Sequence, residues 1–328
     1  MAGPITECNL CPKQCRIAVG QAGDCRIRIN IDGTLRAVTY GHPVAIHVDP
    51  VEKKPFFHYH PGERILSVAT VGCNMHCKGC QNWQISQADP EDVEAYAVDP
   101  ARLTGLAVSK GIPLVAYTYT EPLAYYEYTC ETAILAREKG LGNAIVSAGY
   151  ANEGPVRALF KVVDAATIDV KAFDDRFYRE FCDGGLRPVL NTLVVAREEG
   201  AWLEVSNLVV PGLTDNLADI RKLARWIKGN LGADTPLHFL RFVPHYKMRN
   251  VPPTPVATLE AAWKTALDEG LRYVYLGNVP GHPSEDTHCP GCGAVVIHRV
   301  GYRLSDVHVG KDGRCGFCGE SVAGVFGR

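Results

Sequence analysis

The chain is predicted to fold as an α/β protein whose parallel strands form a barrel or partial barrel of six or seven strand–helix units. Three observations predict this. Seven short β-rich apolar runs recur between residues 65 and 277, and single helix-like stretches separate most of them. Parallel neighbours need such crossovers, which are right-handed. The residues directly after the runs are polar or reactive: Cys73, Glu121–Pro122, Gly149–Tyr150, Asp169 with Lys171, Pro211–Gly212 and His245. In barrel folds chemistry collects at the C-terminal ends of the strands.

Three cysteine clusters divide the chain. Residues 1–63 carry Cys8, Cys11, Cys15 and Cys25, then a Pro- and His-rich run, GHPVAIHVDPVEKKPFFHYHPGE. Residues 64–283 are the expected barrel. Its strands are ILSVATVG (65–72), LVAYTYT (114–120), NAIVSAG (143–149), ATIDVKA (166–172), WLEVSNLVV (202–210), LHFLRFV (237–243) and YVYLG (273–277). Helix-like stretches such as DPARLTGLAVSKG and LAYYEYTCETAILAREKG end in glycine, a common helix stop. Residues 284–328 form the third segment and hold Cys289, Cys292, Cys315 and Cys318.

Composition excludes some classes. A net charge of −2 gives no electrostatic footprint for nucleic acid or an anionic membrane. No apolar run is long enough to span a bilayer, and MAGPITECNLCPKQC has no apolar signal core. With 13 cysteines in a 328-residue chain lacking that signal, the clustered thiols read as metal ligands in a reducing, cytoplasmic setting. Cys130 and Cys182 stand apart and read as small buried hydrophobes.

The central cluster lies in VATVGCNMHCKGCQNWQIS, where Cys73, Cys77 and Cys80 have the spacing C-x3-C-x2-C. Each thiolate can hold one iron of a four-iron cluster, so three leave the fourth iron open to a non-protein ligand. The competing reading is a zinc site completed by His76 or a distant residue.

This spacing, directly after a strand, resembles the radical S-adenosylmethionine (SAM) superfamily. GCNMHCKGCQN is similar to the pyruvate formate-lyase-activating enzyme branch, in which an Asn also follows the third cysteine. DPVEKKPFFHYHPGERILSVATVGCN, YTYTEP, VSAGY, DVKAF, NLVVPGLTDN, HFLRFVPHYKM and VYLGNVPG, in that order, resemble the radical enzyme of the AmmeMemoRadiSam system. The resemblance implies a partial (β/α)6 TIM-like barrel, a [4Fe-4S] cluster on Cys73, Cys77 and Cys80, and bound SAM. It implies reductive cleavage of SAM to a 5′-deoxyadenosyl radical, which abstracts hydrogen from an unidentified substrate. An external electron donor is required, and Memo-like and AMMECR1-like proteins are implied partners.

Site residues follow from the same resemblance. YTEP stands where the family has Gly-Gly-Glu-Pro, placing Tyr119, Thr120 and Glu121 at the methionyl amino group. DVK matches an Asp-x-Lys element; residues two apart on a strand share a face, so Asp169 and Lys171 both point into the mouth. The rival reading makes them a buried ion pair. Asn82 and His245 join the cofactor set, with Tyr246 in the register where the branch has its histidine, and Val210 packs on adenine. Gly79 replaces an aromatic residue that shields the cluster in many family members. Activation of a glycyl radical enzyme is an alternative function. A third reading is a metal-stabilised binding module with a vestigial central loop.

The outer quartets carry metal by their spacing. CPGC and CGFC are two C-x2-C knuckles with β-like AVVIHRVGYRL between them, the pattern of a zinc ribbon. Cys8, Cys11, Cys15 and Cys25 suit a structural zinc or an auxiliary iron–sulfur cluster. His42, His47, His58 and His60 read as structural.

Overall fold

The computed structural model describes residues 3–327. Two small antiparallel hairpins open the chain, β1 (Thr6–Glu7) with β2 (Arg16–Ile17) and β3 (Arg28–Ile31) with β4 (Thr34–Ala37). An eight-stranded sheet follows: β5 (Ala45–Pro50), β6 (Arg64–Ala69), β7 (Leu114–Tyr117), β8 (Gly142–Ser147), β9 (Ala165–Asp169), β10 (Trp202–Val209), β11 (Leu237–Arg241) and β12 (Val274–Gly277). All seven expected strands are present, shortened at their ends. They pair in parallel and in chain order, with no reversal of the kind that marks a doubly wound sheet. The sheet is open, because β5 and β12 each have a single neighbour.

β5 departs from the sequence reading. It comes from the segment before residue 64 yet joins the main sheet, antiparallel to β6 from Ala45↔Ala69 to Pro50↔Arg64. Its sequence, AIHVDP, lacks the apolar run that marks the buried strands. That suits an edge, where Val48 is exposed.

The crossovers include α2 (Pro100–Ser109), α3 (Tyr126–Glu138), α4 (Glu153–Leu159), α6 (Leu186–Glu198), α7 (Leu217–Asn230) and α8 (Val256–Asp268). Two short helices, α1 (Trp83–Ser86) and α5 (Asp175–Phe177), lie in the long loops after β6 and β9, and α5 runs on into a π turn, Tyr178–Cys182. The helices pack as α2 on α3, α4 on α6 and α7 on α8. Their apolar faces and the sheet share one core, and all four residues of β7 are buried, as expected for a parallel strand covered on both sides.

The N-terminal ends of the strands are plugged. Phe56 and Tyr59 pack with Ile65, Leu114, Ala144 and Ala165, early residues of four adjacent strands. Beneath them Glu204 of β10 is fully buried, accepting hydrogen bonds from the backbone of Phe57 and His58 and pairing with His238 at 2.7 Å.

The last segment forms a three-stranded antiparallel sheet, β13 (Thr287–His288), β14 (Val295–Val300) and β15 (Arg303–Val307). The sequence suggests a unit held by its own metal; instead its core is continuous with the plug. Cys289, Val296, Cys315 and Val322 pack with Phe57, Tyr273 and Tyr275. Arg299 is buried against this face, 4.3 Å from the Phe57 ring centre, and donates to the Phe57 carbonyl at 2.7 Å. His58 bridges the two parts, with Nδ1 donating to the Ala323 carbonyl and Nε2 accepting from the Tyr275 hydroxyl, both at 2.6 Å.

Candidate active site and metal centres

The loop after β6 brings the three central cysteines to the C-terminal rim. Gly72 opens it in the left-handed region, φ +94°. A Cβ there would lie 2.5 Å from Ile27 Cγ2 and 2.7 Å from the Cys25 carbonyl, so the N-terminal segment crosses where only glycine fits. Backbone bonds tie the loop to the π turn (His76 N to Cys182 O, 2.9 Å; Lys78 N to Phe181 O, 2.8 Å) and to the turn after β11 (Lys247 N to Lys78 O, 3.0 Å).

The three thiols lie half-buried and feel one another's charge. The Cys73 thiol is pushed well up by burial, then by the charges of Glu121, Cys77 and Cys80. Burial raises Cys80 as well. Cys77 is lowered to about 7, first by a hydrogen bond from Cys182 and also by the Lys171 ammonium, against burial. His76 does not complete a zinc site with them. Its Nδ1 meets Gln87 Oε1 at 2.6 Å and its Nε2 meets Asp24 Oδ2 at 2.8 Å. The acidic pair beside it, Asp24 and Asp183, is bridged by the Lys13 ammonium. Three thiols on one loop, with the loop's imidazole engaged elsewhere, fit a four-iron cluster with one open iron.

The neighbouring strand ends carry the other expected residues. Tyr119 follows β7 with φ +65°, a conformation that glycine adopts freely and other residues reach at a cost of about 1–2 kcal/mol. Its side chain holds it there: the hydroxyl donates to Asp49 Oδ2 at 2.5 Å, Lys54 sits 4.1 Å over the ring and His47 meets its edge. The Tyr119 carbonyl accepts from Asn82 Nδ2 at 2.8 Å. The missing Gly-Gly pair is thus replaced by a braced tyrosine in the left-handed region.

Glu121 is buried, and burial raises its pKa. It accepts from Ser147 Oγ at 2.7 Å, Ala148 N at 2.9 Å and Leu123 N at 3.1 Å, clamping the ends of β7 and β8. Of its roughly four lone-pair sites, one remains, on Oε2. Thr120 turns its hydroxyl to the Thr70 carbonyl.

Asp169 ends β9 and pairs with Lys171 at 2.5 Å, while Ser206 Oγ donates to its other oxygen. Burial works to lower the Lys171 pKa, but the charges of Asp169 and Cys77 outweigh it and the net shift is upward. Val210 is buried with Phe242 and Met248. These two residues also resolve the Gly79 departure. A Cβ on Gly79 would meet Met248 Sδ at 3.0 Å and Phe242 Cε2 at 3.4 Å, so side chains from beyond β11 fill the space beside it. His245 is half-buried in that turn. Tyr246, its neighbour, takes φ +49° and stacks on Trp83 of α1 at 5.2 Å.

Residues 67–227 match the radical SAM superfamily. The chain is 44% identical over 317 residues to the uncharacterized protein MJ0808 of Methanocaldococcus jannaschii, covering 96% of this chain and 94% of that protein. Residues 67–227 are therefore a radical SAM domain. It is also 29% identical over 171 residues to the pyruvate formate-lyase-activating enzyme of Clostridium pasteurianum, 51% of this chain and 71% of that enzyme. The structure of Streptococcus suis SuiB bound to S-adenosylmethionine shares the fold, with a TM-score of 0.52 at 13% identity over 70% of this chain and 53% of that one. This radical SAM protein is therefore an enzyme, and its superfamily cofactors are a [4Fe-4S] cluster and SAM. No helix among the described residues is long and apolar enough to cross a membrane.

Sequence reasoning missed several residues of the radical SAM rim. Cys182, expected only to fill space, sits against Cys77 from 105 positions away. The Trp83–Tyr246 stack and the Tyr119–Asp49 bond likewise join residues far apart in the chain, and no local pattern reports contacts of that kind.

The ribbon cysteines do meet. Cys289 Sγ lies 3.6 Å from Cys318 Sγ, Cys292 Sγ lies 3.9 Å from Cys315 Sγ, and all four are within 4.8 Å of one another. A zinc tetrathiolate with bonds of about 2.3 Å has sulfur–sulfur edges of about 3.8 Å. The ribbon fits that ion.

Proposed function

We propose that the rim site binds SAM by its amino-acid end and directs hydrogen abstraction at a protein substrate. One observation carries the reading: Asn82, just after Cys80, donates to the Tyr119 carbonyl at 2.8 Å, so the cluster loop adjoins the expected amino-acid pocket. When bound, the cluster and SAM supply one-electron cleavage of the C5′–S bond, giving methionine and a 5′-deoxyadenosyl radical. Cys73, Cys77 and Cys80 would hold three of the cluster's irons. The Asp169–Lys171 pair is pre-arranged for a zwitterion, with the carboxylate on Lys171 and the ammonium on Asp169, on the free lone pair of Glu121 and on the carbonyls of Tyr119 and Thr120. Asn82 steadies the Tyr119 carbonyl, Val210 with Phe242 and Met248 gives adenine an apolar wall, and His245 borders the site from the last turn.

The test is 5′-deoxyadenosine formation after anaerobic reduction with dithionite in the presence of SAM. Wild type should form it and Cys77→Ala should not. A cluster-loaded wild type that forms none contradicts the proposal.

The protein-substrate clause rests on similarity to the Clostridium pasteurianum activating enzyme and to the benzylsuccinate synthase activating enzyme of Thauera aromatica. Activation of a glycyl radical enzyme is the second reading, and a glycyl radical signal in a partner enzyme after turnover would select it. The motifs between residues 48 and 283 favour a role beside Memo-like and AMMECR1-like proteins, for which co-purification is the test.

A further inference from the structure

Cys8, Cys11, Cys15 and Cys25 line one cavity, partly open to solvent, together with Arg28 and Asn74. Cys8, Cys11 and Cys25 are buried and Cys15 is half-buried, and none is in a disulfide. The fold itself draws them together. The β1–β2 hairpin pairs Cys8 N with the Cys15 carbonyl at 2.9 Å, and Gly23 N bonds the Arg28 carbonyl at 2.7 Å to close the turn that carries Cys25.

The ribbon offers a contrast in the same chain. Its sulfurs close to zinc-like separations, whereas the N-terminal four are not drawn within 4.8 Å of one another; they surround a space. Two residues of the wall also keep a buried polar atom without a hydrogen-bond partner, Arg28 Nε and Asn74 Oδ1, although Arg28 is 7% and Asn74 3% exposed. A buried donor without a partner is costly, so the Arg28 Nε–H in the wall of this cavity suits a site that supplies an acceptor. Lys13 lines the same wall, its ammonium held by Asp24 and Asp183. Four thiols set apart around one space, with a guanidinium N–H left over on its wall, suit a body larger than one metal ion and rich in sulfide.

We propose that the N-terminal quartet holds a second [4Fe-4S] cluster, with all four irons ligated by cysteine. Filled ligation leaves no open iron, so this cluster does not bind SAM. Its chemistry is one-electron transfer: it takes an electron from an external reductant, passing from the 2+ to the 1+ state, and no bond to carbon is made or broken. Asn74 puts this cluster beside the rim site, because it lines the cavity and is covalently next to Cys73.

The proposal stands apart from the reading of the rim site, and one set of variants separates them. The full chain, purified anaerobically after cluster assembly, should contain about eight irons, eight sulfides and one zinc. Cys73→Ala/Cys77→Ala/Cys80→Ala should keep about four irons and a dithionite-reduced signal in electron paramagnetic resonance that SAM leaves unchanged. Cys11→Ala/Cys15→Ala should lose half the iron and keep the SAM-sensitive signal. If that double variant fails to fold, the wild-type metal count and the central-loop variant still decide. Four irons with two zincs in wild type overturns the proposal, as does a folded central-loop variant without iron. If instead the central-loop variant kept all eight irons, the rim assignment would fail and this one would stand.

Discussion

The two outer cysteine quartets have the same ligand count and opposite surroundings. The C-terminal four form a tight knot at the N-terminal ends of the strands, where Phe57, His58, Tyr273 and Tyr275 join the ribbon to the main sheet. The N-terminal four surround a cavity at the opposite end, in contact with the loop that carries Cys73, Cys77 and Cys80. Barrel folds use the C-terminal ends of strands for chemistry and the other end for stability. On the proposal above, the position of a cysteine cluster along the strand axis separates a structural from a redox role, where counting cysteines does not.

The largest expected effect tests the lower end. Structural zinc contributes on the order of 10 kcal/mol to the folding of small metal domains. Cys292→Ala/Cys318→Ala should lose zinc and expose Phe57 and Tyr275, lowering the melting temperature sharply while iron per folded chain stays constant. A variant as stable as wild type would break the comparison.

Next comes His58, which burial lowers to about 4 from an ordinary value of 6.5. The unfolded chain then binds the proton more readily, so stability is full above pH 6.5 and lost as pH falls toward 4. The loss is roughly 3 kcal/mol. Urea midpoints across that range should show the slope, and His58→Phe should flatten it; equal slopes would remove His58 from the account.

At the rim the effects should fall on binding. Lys171→Ala removes one charge-assisted contact worth about 1.5–3 kcal/mol and should weaken SAM binding by roughly ten- to a hundredfold on cluster-loaded protein. Unchanged affinity with a lower melting temperature would leave Asp169–Lys171 a structural pair. The smallest effect belongs to Tyr119→Phe, which loses the bond to Asp49 that braces the left-handed turn. About 1 kcal/mol, or roughly fivefold in SAM affinity, is expected. Titration calorimetry measures both.

Much of this was legible in the chain. Seven apolar runs became seven parallel strands because a buried strand needs an uninterrupted apolar stretch, and the residues after them formed one rim because parallel strands all end on the same side. β5 was not legible, since an edge strand tolerates the histidine and proline of AIHVDP. Nor was the shared core of ribbon and plug, which depends on Arg299 crossing 242 positions to the Phe57 carbonyl. The braced Tyr119 and the Met248 that fills the space beside Gly79 were hidden for a related reason. Each replaces a local motif by a distant side chain.

Anomalous diffraction from one crystal of the anaerobic protein, recorded at the iron and zinc edges, tests the central claim most directly. Iron peaks should appear at Cys73, Cys77 and Cys80 and at the N-terminal quartet, with a single zinc peak among Cys289, Cys292, Cys315 and Cys318. Zinc in the N-terminal quartet, or iron in the ribbon, would contradict the division of the molecule into a redox end and a structural end.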